Sequence, residues 1–276
     1  MSQIQRDKCA AFTKLHKGPG AFVIPNPWDV GSAKYLAALG FKALATTSAG
    51  AAWAMGRADN QVGRAAMLAH IALMAGASDL PFNADFENCF SDTVEGVGES
   101  VALCVKTGVA GLSIEDAAGR KDTPFYDIDV AVARVKVARH AIDATGMPVL
   151  LTARSEVVLG QHPGGLKEAL KRITAYADAG GDVLFVPGLR SLADMKAVID
   201  AAAPKPVNII LSGPGFSVRQ IEDIGGRRIS VGSSLARAAF GGFLRAAREI
   251  AAHGTFEEFA KGEPFADING FFARKT

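Results

Sequence analysis

The chain has 276 residues, 49% of them hydrophobic, and a formal charge of +2 from 30 basic and 28 acidic side chains. A balance this even, with no basic block, excludes nucleic acid as the principal partner, because neutralising phosphate needs a concentrated positive face. No apolar run approaches the ~20 residues that span a bilayer, no signal core opens the chain, and Cys9, Cys89 and Cys104 lack CxxC spacing, so a soluble, reduced, cytoplasmic protein without a membrane partner is expected.

The segment up to residue 17 reads as a helix with Ile4, Cys9, Phe12 and Leu15 loosely on one face. Residues 21–25 form an apolar run too short for anything but a buried strand. Asn26-Pro27-Trp28-Asp29 turns the chain into a helix over 30–39, stopped by Gly40. A second strand, 41–46, runs into a small-residue loop, Thr47 to Ala52. A helix over 62–74 precedes the strand 81–85. The alternation continues with a helix at 93–106, a strand at 111–116, a helix at 131–144 and a strand at 148–154. A helix at 166–179 and a strand at 182–186 follow. Ser191, with Asp194 three residues on, caps the next helix. Strands at 207–211 and 229–231 and a helix over 234–252 complete the series.

None of the strands alternates in polarity, as expected of parallel strands covered on both faces. Glycines stand at the helix-to-strand junctions, at Gly40, Gly108, Gly180 and Gly225, where a left-handed helix stop is needed. About eight βα units with short connections predict an α/β fold, a (β/α)8 TIM barrel. It would be a single domain over residues 1–276, with 254–276 as a C-terminal helical tail. A doubly wound open sheet would need a glycine-rich phosphate turn after an early strand. The turn after the first strand is Asn26-Pro27-Trp28-Asp29, and no GxGxxG or P-loop stands in a usable place.

In such a barrel, chemistry sits where strands end. Asp85 and Glu87, spaced i, i+2, fall on one side of an extended strand. Two anions held together call for a cation between them, and a hard divalent ion such as Mg2+ suits carboxylates and water; solvated loop acids are the alternative. Other strand ends deliver Ser48-Ala49-Gly50, Glu115 and Asp116, Arg154 and Ser212-Gly213, and Asp59 lies in the second βα loop. The planar fork of Arg154 suits a substrate carboxylate or phosphonate. The small residues 48–50 let backbone amides approach an anion. Glu115 or Asp116 could instead bridge to Arg154, and Asp59 could pair with Arg57. Asn208, mid-strand, reads as an internal hydrogen-bonding residue. His16, His70, His140 and His253 read as surface or packing residues, and only His162 follows a strand.

Taken in order, Ser48-Ala49-Gly50, Asp59, Asp85-Phe86-Glu87, Glu115-Asp116 and Thr152-Ala153-Arg154 resemble the isocitrate lyase/phosphoenolpyruvate mutase superfamily over residues 22–252. The resemblance implies a barrel that binds Mg2+, with Mn2+ as a substitute, and a 2-oxocarboxylate or its enolate. It implies Asp85 as the direct metal ligand, with Asp59, Glu87 and Glu115 holding metal-bound waters. Arg154 would grip the substrate's acidic group. The amides of Ser48, Ala49 and Gly50 would hold the oxo-acid end, with Asn208 among the substrate-binding residues. Family lyases carry a Lys-Lys-Cys-Gly-His type loop after the fourth strand. Here it reads Ala117-Ala118-Gly119-Arg120-Lys121-Asp122-Thr123-Pro124, without cysteine or histidine. Phosphonomutases place Lys and Asn two apart in this loop; Lys121 matches and Thr123 stands in place of the asparagine. Glu87 replaces the more usual aspartate. The implied activity is a Mg2+-dependent carbon–carbon lyase acting on a small 2-oxo acid, oxaloacetate decarboxylase-like. Arg154, Glu115 and Lys121 would be its catalytic residues, with Lys121 or Tyr126 protonating the enolate. A phosphonopyruvate mutase or hydrolase is the alternative, and a non-catalytic oxo-acid-binding barrel a third reading.

The tail holds Phe256, Phe259, Phe265, Phe271 and Phe272, too many aromatics to leave in water. Thr255 and Glu258 are spaced as a capping box. A homo-oligomer is expected, a dimer or a tetramer. The resemblance adds that its C-terminal helix is exchanged between subunits.

Overall fold

Short apolar runs bounded by turn residues become strands, and the longer stretches with helical periodicity between them become crossovers. The computed structural model describes residues 2–274. Its strands are β1 (Phe22–Ile24), β2 (Leu44–Ala45), β3 (Phe82–Ala84), β4 (Gly111–Glu115), β5 (Leu150–Arg154), β6 (Val183–Phe185), β7 (Val207–Ile210) and β8 (Arg228–Ser230). All pairings are parallel, in the order β1-β8-β7-β6-β5-β4-β3-β2. The Ala45 amide donates to the Pro25 carbonyl at 3.1 Å, bringing the two ends of the sheet together. The result is the nearly closed (β/α)8 barrel that the alternation predicts.

The helices are α1 (Gln3–Lys17), α2 (Val30–Ala38), α3 (Ser48–Ala54), α4 (Arg64–Ala75), α5 (Val94–Val105), α6 (Ile128–Ala144), α7 (Gly165–Asp178), α8 (Leu192–Ala202), α9 (Val218–Asp223), α10 (Ser234–His253) and α11 (Phe265–Ala273). Asp29 caps α2 through a reciprocal box with Ser32, and Ser191 caps α8 by accepting from the Asp194 amide. Gly180, at φ 107°, could not be exchanged for a larger residue: a Cβ there would lie 2.7 Å from Arg139 Cγ.

Helix α1 seals the N-terminal end of the barrel. Cys9 and Phe12 are fully buried. The Gln5 side chain donates to the carbonyls of Val105 and Val109 at 2.7 and 3.0 Å. Gly111 opens β4 where the Phe12 ring enters, and a Cβ there would meet that ring at 2.7 Å. Ile4, expected on the buried face, is 66% exposed, and the stripe runs instead through Gln5, Cys9, Phe12 and His16. The His16 ring stands edge-on to Phe12 and Phe22.

Most barrels of this kind fill the interior with branched apolar side chains. Here the buried strand residues include Asn83, Ser113, Thr152, Asn208, Arg228 and Ser230. Arg228 on β8 reaches Asn83 on β3, and Thr152 on β5 reaches the same oxygen, both at 3.5 Å. Neither pair of strands is adjacent in the sheet, so these contacts cross the barrel's interior.

The chain divides into two compact units, Met1–Ser233 and Ser234–Thr276. The break falls before α10, so the helix expected to close the eighth βα unit groups with the tail. Within this second unit, Thr255 Oγ1 and the amides of Glu257 and Glu258 all donate to the Glu249 carboxylate. Glu249 therefore takes the capping role expected of the Thr255–Glu258 box, and the turn it starts is a 3-10 helix, Glu257–Lys261. Among the described residues no helix is long and apolar enough to cross a membrane.

Candidate active site

At the C-terminal end of the strands, a cavity of about 180 Å³ is lined by Asn26, Thr46, Thr47, Ser48, Ala49, Asp59, Asn83, Asp85, Ser113, Arg154, Asn208, Arg228 and Ser230, among others. It joins Ser48, Ala49, Asp59, Asp85, Arg154 and Asn208, all singled out from the sequence. Glu87 and Glu115 are outside that lining, but the charge of Asp85 acts on both and that of Glu87 on Glu115.

The Asp85–Glu87 pair is built differently from the extended strand that its spacing suggested. Strand β3 ends at Ala84, and Glu87 has a left-handed backbone, φ 47°. Cys89 and Phe90 follow at φ 61° and 52°. Left-handed backbone in residues with side chains costs on the order of 1–3 kcal/mol each and persists only where its surroundings hold it. Here the Cys89 amide donates to the Phe86 carbonyl, and the Glu115 amide to the Glu87 carbonyl. Arg134 on α6 donates to the carbonyls of Asn88 and Ser91 at 2.6 and 2.8 Å. Its guanidinium lies 4.0 Å from the centre of the Tyr126 ring. Nothing in the sequence spacing signals this role for Arg134, because its partners lie more than forty residues away.

Residues 48–50, expected as a loop, are the first turn of α3, whose cap is Thr47. The Ser48 amide donates to Asp85 Oδ2 at 3.0 Å, and the Asp85 amide donates to Thr46 Oγ1 at 2.8 Å. The Gly50 amide is taken by Thr47 Oγ1, and Gly50 is buried outside the lining. Of the three amides expected to face a ligand, Ser48 and Gly50 are therefore already engaged by the protein.

Arg154, the last residue of β5, faces three carboxylates. Nη1 lies 3.4 Å from Asp85 and 3.3 Å from Glu115, and Nε donates to Glu156. These acids hold the guanidinium firmly in its charged form. Glu156 is a site residue that the sequence reading passed over; the sequence signal was an acid two residues beyond the strand-end arginine. The Glu115–Arg154 bridge is present as one of the expected alternatives, whereas Asp116 turns away from it. Asp116 is buried and accepts from Ser155 Oγ, the Glu156 amide, Arg172 Nη1 and Tyr176 Oη at 2.7–3.0 Å.

Burial, then the charges of Asp85 and Asp59, push the Glu87 carboxyl up to about 8. Burial likewise raises Glu115 well above the usual carboxylate range. Among the described residues, Glu87 Oε1 is buried without a hydrogen-bond partner. The residues present therefore fit a hard divalent cation: the donors are oxygens, acid outnumbers base, and one buried oxygen lacks a partner. Among the described residues no group of three or more His, Cys, Asp or Glu side chains could hold a metal ion by itself. A Mg2+ ion binds through one or two carboxylates and keeps several waters.

Asn26 is a second omission. It donates to the Thr46 carbonyl and accepts from the amides of Val231 and Gly232, tying β1, β2 and the end of β8 together. Asn208 donates to Ser230 Oγ at 2.9 Å and accepts from Arg228 Nε at 2.8 Å, so it is both internal and part of the lining. Lys121 is exposed in the loop closed by the Ala117–Phe125 bridge and is outside the lining. The Tyr126 hydroxyl donates to Asp92 rather than facing the cavity. Asp59 is exposed at the rim, and Arg57 reaches the Gln61 carbonyl instead of pairing with it. His162 packs edge-on against Phe125, away from the cavity. All three cysteines are free and buried, and burial pushes the Cys89 thiol up.

Residues 12–251 match the family model described as phosphoenolpyruvate phosphomutase. The crystal structure of a candidate lyase/mutase from Burkholderia cenocepacia J2315 is 45% identical, with a TM-score of 0.95 over 99% of this chain and 98% of that one. An uncharacterized protein of Mycobacterium tuberculosis (strain ATCC 25618 / H37Rv) is 32% identical over 260 residues, 94% of each chain. The oxaloacetate decarboxylase of Rhodopseudomonas palustris (strain BisB18) is 27% identical over 202 residues, 71% of this chain and 65% of that protein. With a polar-lined barrel mouth carrying the strand-end acids and arginine in the expected order, the chain belongs to the phosphoenolpyruvate phosphomutase family, within the isocitrate lyase/phosphoenolpyruvate mutase superfamily.

Proposed function

We propose that the protein is a Mg2+-dependent lyase that cleaves a carbon–carbon bond next to a small 2-oxocarboxylate, in the manner of an oxaloacetate decarboxylase. The observation that carries this reading is the acid-rich mouth with an arginine at its centre. Asp85, Glu115 and Glu156 crowd around Arg154, its charge acts on Glu87, and among the described residues one buried Glu87 oxygen has no partner.

Asp85 would be the direct metal ligand, with Glu87, Glu115 and Asp59 holding the ion's waters. When bound, Mg2+ would supply positive charge where the substrate's oxo oxygen becomes an enolate oxygen. Arg154 would bind the substrate's acidic group through its fork. Its present partners Asp85 and Glu115 are the same acids that would turn to the ion, so metal entry would free Nη1 for the substrate. Ala49, at the first turn of α3, would present its amide to the oxo-acid end. Lys121 has no competing ion pair among the described residues and sits on the loop after β4, so it is the residue proposed to deliver a proton to the enolate carbon. The loop lacks the cysteine and histidine that the family's isocitrate-type lyases carry, which favours a small oxo diacid over a tricarboxylate.

Steady-state assays with oxaloacetate, 2-methylisocitrate and phosphonopyruvate, with Mg2+ and with chelator, test this reading. Metal-dependent turnover of oxaloacetate is expected. Turnover of phosphonopyruvate alone would move the assignment to phosphorus–carbon chemistry. Metal-dependent binding without product from any of the three would leave a binding protein and refute the lyase.

A further inference from the structure

The cavity has a second guanidinium besides that of Arg154. Arg228 is 4% exposed, lines the cavity from β8, and forms no ion pair among the described residues. Its Nε donates to Asn208 Oδ1 at 2.8 Å, and Nη1 reaches Asn83 Oδ1 only at 3.5 Å. No hydrogen bond from Nη2 is formed among the described residues. Both partners are neutral amides, so the charge is solvated by dipoles and not cancelled. A buried cation of this kind is costly unless an anion pairs with it. Burial lowers its pKa to about 9, which leaves it charged at neutral pH.

The arrangement of the lining is asymmetric in a useful way. At the mouth, Arg154 is surrounded by carboxylates, whereas Arg228, among the described residues, bonds to Asn208 and Asn83, lies near His16 and pairs with no carboxylate. A metal ion would be drawn to the acidic side. An anionic ligand would be drawn to the side where positive charge is uncompensated.

We propose that Arg228, held by Asn208 and Asn83, is the floor of an anion subsite that selects doubly charged substrates, small oxo diacids, over singly charged oxo acids. This rests on the cavity being the oxo-acid site. One acidic group would lie toward Arg154 and the other would reach Arg228. A singly charged acid would satisfy one guanidinium and leave the other unpaired, and a site with an unpaired buried polar group rejects the shorter ligand.

The test is calorimetric titration, in Mg2+, of the full chain and of Arg228→Met and Arg228→Gln with 3,3-difluorooxaloacetate (an oxo diacid) and with pyruvate (an oxo monoacid). Folding of each variant would be checked by circular dichroism and thermal melting. Loss of a charge-assisted contact should weaken the diacid by about ten- to a hundredfold and pyruvate by far less, so that the ratio between the two collapses. Arg228→Lys should recover part of that ratio. A purely structural Arg228 would weaken both ligands alike, and that result, or unchanged diacid affinity in either folded variant, would overturn the inference. Wild-type protein that binds neither acid would instead refute the oxo-acid site itself, and the subsite with it.

Discussion

Arg154 is the residue on which the site's electrostatics turn. It contacts three carboxylates from three strand ends and lies 5.1 Å from the centre of the Phe185 ring. A lysine would keep the charge but lose the planar fork that serves several acids at once. Arg154→Lys should therefore lower kcat/KM by about a hundredfold or more, measured on whichever oxo acid is turned over, with little change in melting temperature. Near-normal kinetics would remove Arg154 from the anion-binding role. At this scale the sequence was legible where a functional group ended a strand, as with Asp85, Glu115 and Arg154. It misled where two acids were adjacent: Glu115 and Asp116 look equivalent, yet one faces Arg154 and the other is the buried counter-ion of Arg172. Arg228, Asn26 and Glu156 were missed for a different reason. Their roles depend on partners brought in from other strands, and local spacing holds no record of those.

At the scale of elements, the alternation of strand and helix was readable because each step is local: an apolar run, a turn, an amphipathic stretch, a glycine stop. Helix α3 was not, because Ser-Ala-Gly-Ala-Ala has the composition of a loop, and only the cap from Thr47 and the contact with Asp85 commit it to a turn of helix. Two buried polar elements give measurable predictions. Asp116 joins β4 to β5 and α7 through Ser155, Arg172 and Tyr176. Asp116→Ala strands a buried arginine and should cost roughly 3–5 kcal/mol in urea unfolding; a loss under about 1 kcal/mol would contradict this reading of the network. In α1, burial and the nearby charge of Arg228 hold His16 down to about 3, against an ordinary value near 6.5. The unfolded chain therefore binds the proton first. Stability present above pH 6.5 is lost as the pH falls toward 3, by roughly 2–3 kcal/mol at about pH 4.5. His16→Gln should flatten that slope when unfolding is compared at pH 7 and about pH 4.5. An unchanged slope would mean that His16 is not buried in its neutral form.

For the whole molecule, the unit from Ser234 onward leaves Phe243, Phe256, Phe259, Phe265 and Phe272 between 46% and 82% exposed in a single chain. Burying such side chains is worth about 1.5–3 kcal/mol each, so a second copy that covers them would be strongly favoured. The protein is expected to be a homo-oligomer, and a version ending near Gly254 should lose mass by light scattering and melt at lower temperature. A monomeric full chain, or a truncation that keeps its assembly, would contradict this. The central claim is that the barrel mouth binds a divalent metal and an oxo acid together, and it is tested most directly by calorimetry with Mg2+ and oxalate, an enolate mimic. Oxalate is expected to bind wild-type protein only with Mg2+. Asp85→Ala should abolish Mg2+ binding, while Glu87→Ala should weaken it by about ten- to a hundredfold, as for an acid acting through water. Oxalate binding that ignores Mg2+, or Mg2+ affinity unchanged in Asp85→Ala, would contradict it.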